Sequence, residues 1–206
     1  MPDYGHPLRF ATFIGPTNSP PSRPVELAQL SERLGFDFVT FQDHPYPGVA
    51  ALDEAIDIIR GVWDADEPGG VDVDGEFYSV HGAERGPAPA HEIPIWIGAH
   101  KPKMQDLVGR KANGWLPSLP MMEPGGLSKG NAIIDDAARA AGRDPREITR
   151  LLNIFAGQQT QETLAQMAVE DGVSIFILAS DDPDVIERFA AETIPAVREH
   201  VVRERS

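Results

Sequence analysis

Apolar positions along this chain fall into two alternating periods. Short runs of aromatic and β-branched residues separate longer stretches in which apolar residues return every three or four positions. The runs Leu8–Ile14, Phe36–Phe41, Ile93–Ala99, Gly114–Leu119, Arg150–Ala156 and Ser174–Ser180 read as strands. Glu76–Val80 reads as a further short, exposed strand. Between them, Val25–Leu34 gathers Leu27, Leu30 and Leu34 on one face and stops at Gly35, as a glycine just past a helix end does. Leu52–Asp64 carries the stripe Leu52, Ile56, Ile59 and Trp63. Helices are also predicted from Pro102, over Ala132–Ala141 and over Thr160–Glu170. A last helix, from Asp182 to about Arg205, should bend at Pro195 and bury Val185, Phe189, Val197 and Val201. Asp66–Gly75 and Met121–Gly130 read as loops. Strands alternating with helices give an α/β protein with a parallel sheet. A closed (β/α)8 barrel has eight strands and typically about 250 residues, and 206 residues with six strong strands fall short of both.

The second strand carries candidate chemistry. Strand side chains alternate, so Val39 and Phe41 share one face while Phe38, Thr40, Gln42 and His44 share the other. A polar set rising along one face predicts a wet interior opening at the carboxyl end of the strand, where α/β proteins bind ligands. His44 at that rim can pass a proton. Asp43 faces the other way and reads as an orienter or cap. Gly98-Ala99-His100-Lys101-Pro102 leads from a strand into a helix. Its free amides, the helix dipole and Lys101 suit a phosphate, and an ordinary strand-to-helix turn is the equal alternative. Ser180-Asp181-Asp182 is a poorer phosphate site because of its carboxylates. Thr12, Thr40, Gln42 and Asn153 could line a pocket, although polar residues inside strands are more often structural. Trp96, Trp115 and Phe155 could flank a planar ring, although such aromatics are more often core.

Charge and composition narrow the classes. Eighteen Lys and Arg against 32 Asp and Glu leave a net charge of −14, which repels phosphate backbones and argues against nucleic acid. The chain has no cysteine, so disulfides, thiolate nucleophiles and Cys-ligated metals are excluded. His81, His91 and His100 are scattered and no HExxH spacing occurs, so no metal site is expected. No G-x-S-x-G elbow marks a hydrolase. No apolar run is long enough to span a membrane, and the first residues lack a signal-peptide layout. A cytoplasmic protein is the expectation.

Several stretches share one family likeness. Phe38–Pro47 (FVTFQDHPYP) resembles the second strand of the luciferase-like monooxygenase family. The run Gly86-Pro87 through His91-Glu92-Ile93-Pro94-Ile95-Trp96-Ile97-Gly98-Ala99 resembles that family's fifth strand and its lead-in. Gly109–Pro117 (GRKANGWLP) is similar to the sixth, and Gly172–Leu178 to the approach to the eighth. The resemblance implies a TIM-barrel-type (β/α)8 fold, here incomplete, with about six parallel strands. It implies reduced FMN or the deazaflavin coenzyme F420 at the carboxyl-end mouth. It makes His44 the catalytic candidate and Asp43, Gln42, Thr40, Gly98, Ala99, His100 and Lys101 the cofactor-binding candidates. The expected activity is a monooxygenase-class oxidoreductase acting on a small organic substrate by hydride transfer or oxygen insertion. The family segment carrying barrel strands three and four is missing near residues 47–52, as a deletion or an omitted stretch, and the loop near 156–160 is short. Residues 1–206 are then one incomplete barrel domain. A homodimer could supply the missing wall, and a non-catalytic flavin-binding remnant is the alternative.

Overall fold

Side-chain alternation along the strands builds two apolar layers. The computed structural model describes residues 3–15, 20–41 and 48–205. The elements are β1 (Arg9–Ile14), α1 (Arg23–Arg33), β2 (Phe38–Phe41), α2 (Val49–Trp63), β3 (Val71–Asp74), β4 (Ser79–Ala83), β5 (Trp96–Ile97) and α3 (Pro102–Lys111). They continue with β6 (Gly114–Trp115), α4 (Gly126–Ala140), β7 (Thr149–Phe155), α5 (Gln161–Glu170), β8 (Ile175–Ala179), α6 (Pro183–Arg188) and α7 (Ile194–Arg205). Phe10, Ile14, Leu152, Ile154, Phe176 and Leu178 point outward into the main core under the helices. The residues between them, Ala11, Leu151, Ile175 and Ile177, point inward with Phe13, Phe38, Trp96 and Leu116. A parallel sheet is apolar on both faces because both are covered.

Six strands pair in parallel in the order β2–β1–β8–β7–β6–β5. This is the order of an eight-stranded barrel without its third and fourth strands. The sheet curls into a half-barrel, and its two edges approach each other. Phe38 on β2 and Trp96 on β5 lie with ring centroids 5.6 Å apart. Helix α2 follows the missing segment and docks on α3 through ionic contacts. Asp53 meets both Lys111 and Arg110, the latter at 3.0 Å, and Asp57 meets Lys111 at 2.5 Å. Burial pushes the Asp53 pKa up, and its hydrogen bonds to Lys111 and Arg110 outweigh that and hold it below the usual range.

Four expectations are corrected. The strand predicted at Glu76–Val80 is a turn followed by β4. Glu54 of α2 accepts hydrogen bonds from the amides of Glu76, Phe77 and Tyr78 at 2.8–2.9 Å, and this bends the chain there. The acidic stretch before it, read as a loop, supplies β3, which pairs antiparallel with β4. Helix α4 begins within the predicted loop 121–130, well before Ala132. Gly130 lies inside it because a Cβ there would sit 2.3 Å from the Trp115 ring, so the glycine serves close packing. The last helix breaks as a π-helical segment, Phe189–Thr193, immediately before Pro195. Proline lacks an amide and clashes with the carbonyl four residues back, and a π turn absorbs the mismatch.

One buried ionic group ties the amino-terminal segment to the sheet. The Arg150 side chain, 1% exposed, pairs with Asp135 at 2.6 Å and donates to Asn131 Oδ1 at 2.8 Å. It also stacks on the Tyr4 ring at 4.0 Å. Removing one partner strands the other charge in a low-dielectric interior. Asp135→Ala should therefore lower stability by about 3–5 kcal/mol in urea unfolding. Gly130→Ala should cost about 1–3 kcal/mol through overpacking against Trp115. Wild-type midpoints for either variant would contradict the packing described.

Candidate functional site

The carboxyl ends of the strands open into a half-cup whose polar floor comes from three neighbouring strands. Alternation from Trp96 turns His100 inward past the end of β5. It likewise turns Ser118 inward beyond β6 and Asn153 inward on β7. Ser118 and Asn153 form a parallel bridge. The Ser118 amide donates to His100 Nε2 at 3.4 Å, and Asn153 Nδ2 donates to Ser118 Oγ at 3.4 Å. The imidazole proton is therefore on Nδ1. His100 Nδ1 and Asn153 Oδ1 are both buried without a hydrogen-bond partner. Buried polar atoms are nearly always paired, so a donor and an acceptor left together on one floor call for an occupant.

The rim above is more apolar. Registers place Thr40 beside Phe13, Phe13 beside Ala179 and Ala179 beside Phe155. Thr40 is half-buried, and its hydroxyl donates to the Thr12 carbonyl at 3.2 Å. Thr12 itself points outward, where its hydroxyl meets Ser31 Oγ at 2.9 Å. It is structural.

The sequence-predicted residues separate into groups. His44, Asp43 and Gln42 lie outside the described residues. Ala99 is buried in the outer core, and its carbonyl accepts the Trp115 indole N–H at 2.8 Å. Trp115 is accordingly core and not a ring flank. Gly98 leaves room for the Leu116 carbonyl, 3.4 Å from where a Cβ would sit. Lys101 is exposed at the cap of α3. His100 is half-buried at the floor. Trp96 faces the interior, and Phe155 is 42% exposed at the rim. Alternation along β7 turns Asn153 inward, while its place beside Ser118 is set by long-range register that strand pattern alone does not carry. Among the described residues no cluster of three or more His, Asp or Glu could hold a metal ion, and no helix is long and apolar enough to cross a membrane.

Residues 47–193 match the sequence model of the luciferase-like monooxygenase family. The chain belongs to the luciferase-like monooxygenase family. An F420-dependent glucose-6-phosphate dehydrogenase of Mycolicibacterium gilvum is 28% identical over 151 residues, 71% of this chain and 44% of the relative. The chain thus spans less than half the length of that relative. An F420-dependent secondary alcohol dehydrogenase, solved in complex with an F420–acetone adduct, superposes with a TM-score of 0.71 at 15% identity, covering 93% of this chain and 99% of that one. An F420-dependent tetrahydromethanopterin reductase from Methanopyrus kandleri superposes at 0.68 and 14%, covering 92% and 99%. At these identities the solved structures bear on the fold alone. They support a luciferase-like TIM-barrel architecture.

Burial, and after it the Lys101 ammonium, lowers the His100 pKa below the ordinary imidazole value. Burial, partly offset by backbone carbonyls, lowers that of His6 too. In the unfolded chain both titrate near 6.5. Just below that pH the unfolded state binds more protons, so stability should fall as pH drops through about 6.5. His6→Asn/His100→Asn should flatten this limb of the pH–stability curve. An unchanged slope in the double variant would assign the limb to other groups.

Proposed function

We propose that this chain is an oxidoreductase that seats a reduced deazaflavin or flavin, and a small organic substrate, on the floor of the half-cup. The observation that carries the reading is the pair of buried, unpartnered atoms, His100 Nδ1 and Asn153 Oδ1. One donor and one acceptor complement the carbonyl and imide N–H on the pyrimidine edge of such a ring. The residues present fit one side of the cofactor; His100 stands at the seat, and Gly98, Ala99 and Lys101 form the strand-to-helix turn that carries it. When bound, the reduced cofactor supplies hydride or activates oxygen. F420-dependent relatives favour hydride transfer.

The side chains have separate duties in this reading. His100 and Asn153 fix the ring edge. Phe13 and Phe155 keep water from the reacting face. Thr40 lines the wall at the end of β2. His44 gives a proton to the substrate oxygen or takes one from it, and Asp43 orients it. A homodimer would close the wall that strands three and four form in a complete barrel.

A second reading has its own support. Both β2 and β5 are sheet edges, so part of the ring platform is missing, and this favours a flavin-binding remnant without turnover. Titration with reduced F420 and with FMN, followed by turnover assays, separates the two. The enzyme reading expects saturable binding, a roughly tenfold loss in affinity for Asn153→Ala, and a loss of about 100-fold or more in turnover for His44→Ala with affinity retained. Binding without turnover would favour the remnant, and absence of binding by either cofactor would remove both.

A further inference from the structure

A second hollow lies at the opposite end of the half-barrel. It has a volume of about 330 Å³ and is lined at the amino-terminal ends of the strands by His6, Arg9, Glu92, Trp96, Asn113 and Ile175, among others. This is room for several waters or one small molecule. It is separate from the carboxyl-end cup, and the reading of that cup plays no part here.

The lining carries Arg9 and Glu92, both exposed and not paired with each other, and Glu147, which pairs with Arg143 at 3.6 Å. The Arg9 guanidinium and the Glu92 carboxylate have neither hydrogen bond nor ion pair among the described residues. The partly buried charges of the helices do pair, as Arg110, Lys111, Asp53 and Asp57 show. Two polar groups of the same lining are also unfilled. Asn113 Oδ1 accepts from the Ile95 amide at 3.0 Å and from Arg60 at 3.5 Å, which fixes the amide and leaves its Nδ2 as a free donor. His6 Nε2 is buried without a partner. Trp96 and Ile175 supply apolar wall.

We propose that this hollow binds a small zwitterion, an α-amino acid with an apolar side chain. Arg9 and Asn113 Nδ2 take the carboxylate, Arg9 through its paired N–H groups. Glu92 takes the ammonium, with His6 Nε2 as a further acceptor. The side chain packs on Trp96 and Ile175. A plain anion would face the Glu92 and Glu147 carboxylates, and a plain cation would face Arg9, so a ligand bearing both signs suits the lining better than either.

The probe is L-leucine, with 4-methylpentanoate and isoamylamine as matched ligands lacking the ammonium or the carboxylate. Calorimetry on the full chain should give saturable leucine binding below about 10 mM, with each matched ligand at least tenfold weaker. Arg9→Gln and Glu92→Gln should each weaken leucine binding about tenfold, with circular dichroism and thermal midpoint unchanged. The Trp96 indole signal in a nitrogen–proton correlation spectrum should shift with leucine in the wild type. Equal binding of the acid or the amine overturns the proposal. So does leucine binding that survives both substitutions, or no saturable binding at all. A variant that fails to fold is replaced by Asn113→Asp, which puts a carboxylate against the ligand's own and should weaken leucine more than isoamylamine.

Discussion

A parallel sheet must be covered on both faces, and this sheet covers part of its own inner face. With two barrel strands absent among the described residues, the curl brings Phe38 on one edge against Trp96 on the other. These rings, with Ala11, Leu151, Ile175 and Ile177, make a small inner core without a full ring of strands. Aromatic rings bury more area per residue than aliphatic side chains and tolerate tilted contact. That contact keeps an open set of strands curved. It also divides the interior, leaving a polar cup at the carboxyl ends and a mixed hollow at the amino ends.

Local chemistry fixes how the helices sit around this sheet. The carboxylates of α2 hold α3 through Arg110 and Lys111, while Glu54 on α2 gathers three amides of the β3–β4 turn. One helix therefore anchors both the helix beside it and the hairpin beyond it. The close passage of α3 and α4 depends on Gly109, where a Cβ would lie 2.5 Å from the Ile134 carbonyl. On the far side, Arg150 and Asp135 bind the amino-terminal segment down through Tyr4.

Much of this was legible in the residues. Leu151 and Leu152, or Ile177 and Leu178, are interchangeable in an apolar run, yet the run itself marks a strand buried on both faces. The glycine after α1 and the Asp182–Pro183 start of α6 were readable as local signals. The short interval before Leu52, near residues 47–52, was the sequence sign of a barrel short of two strands. Less visible were contacts made across distance. Nothing near Glu76 says that Glu54 will take its amide, and nothing near Gly126 says that Trp115 needs a glycine at 130. Of the candidate site, His100 stood out in the sequence by its place between a strand and a helix, and Asn153 as a polar residue inside a strand. Ser118 carried no such signal, because only the register of β6 against β7 sets it beside them.

The indole of Trp115 hydrogen-bonds the carbonyl of Ala99, one residue before His100, from a position sealed off from solvent. A buried indole with a single fixed partner emits light whose colour and yield depend on that partner's geometry. Any molecule that tugs on the backbone at the end of β5 alters the emission without touching the fluorophore. The protein carries its own optical gauge beneath the cup, and neither dye nor tag is required to read it.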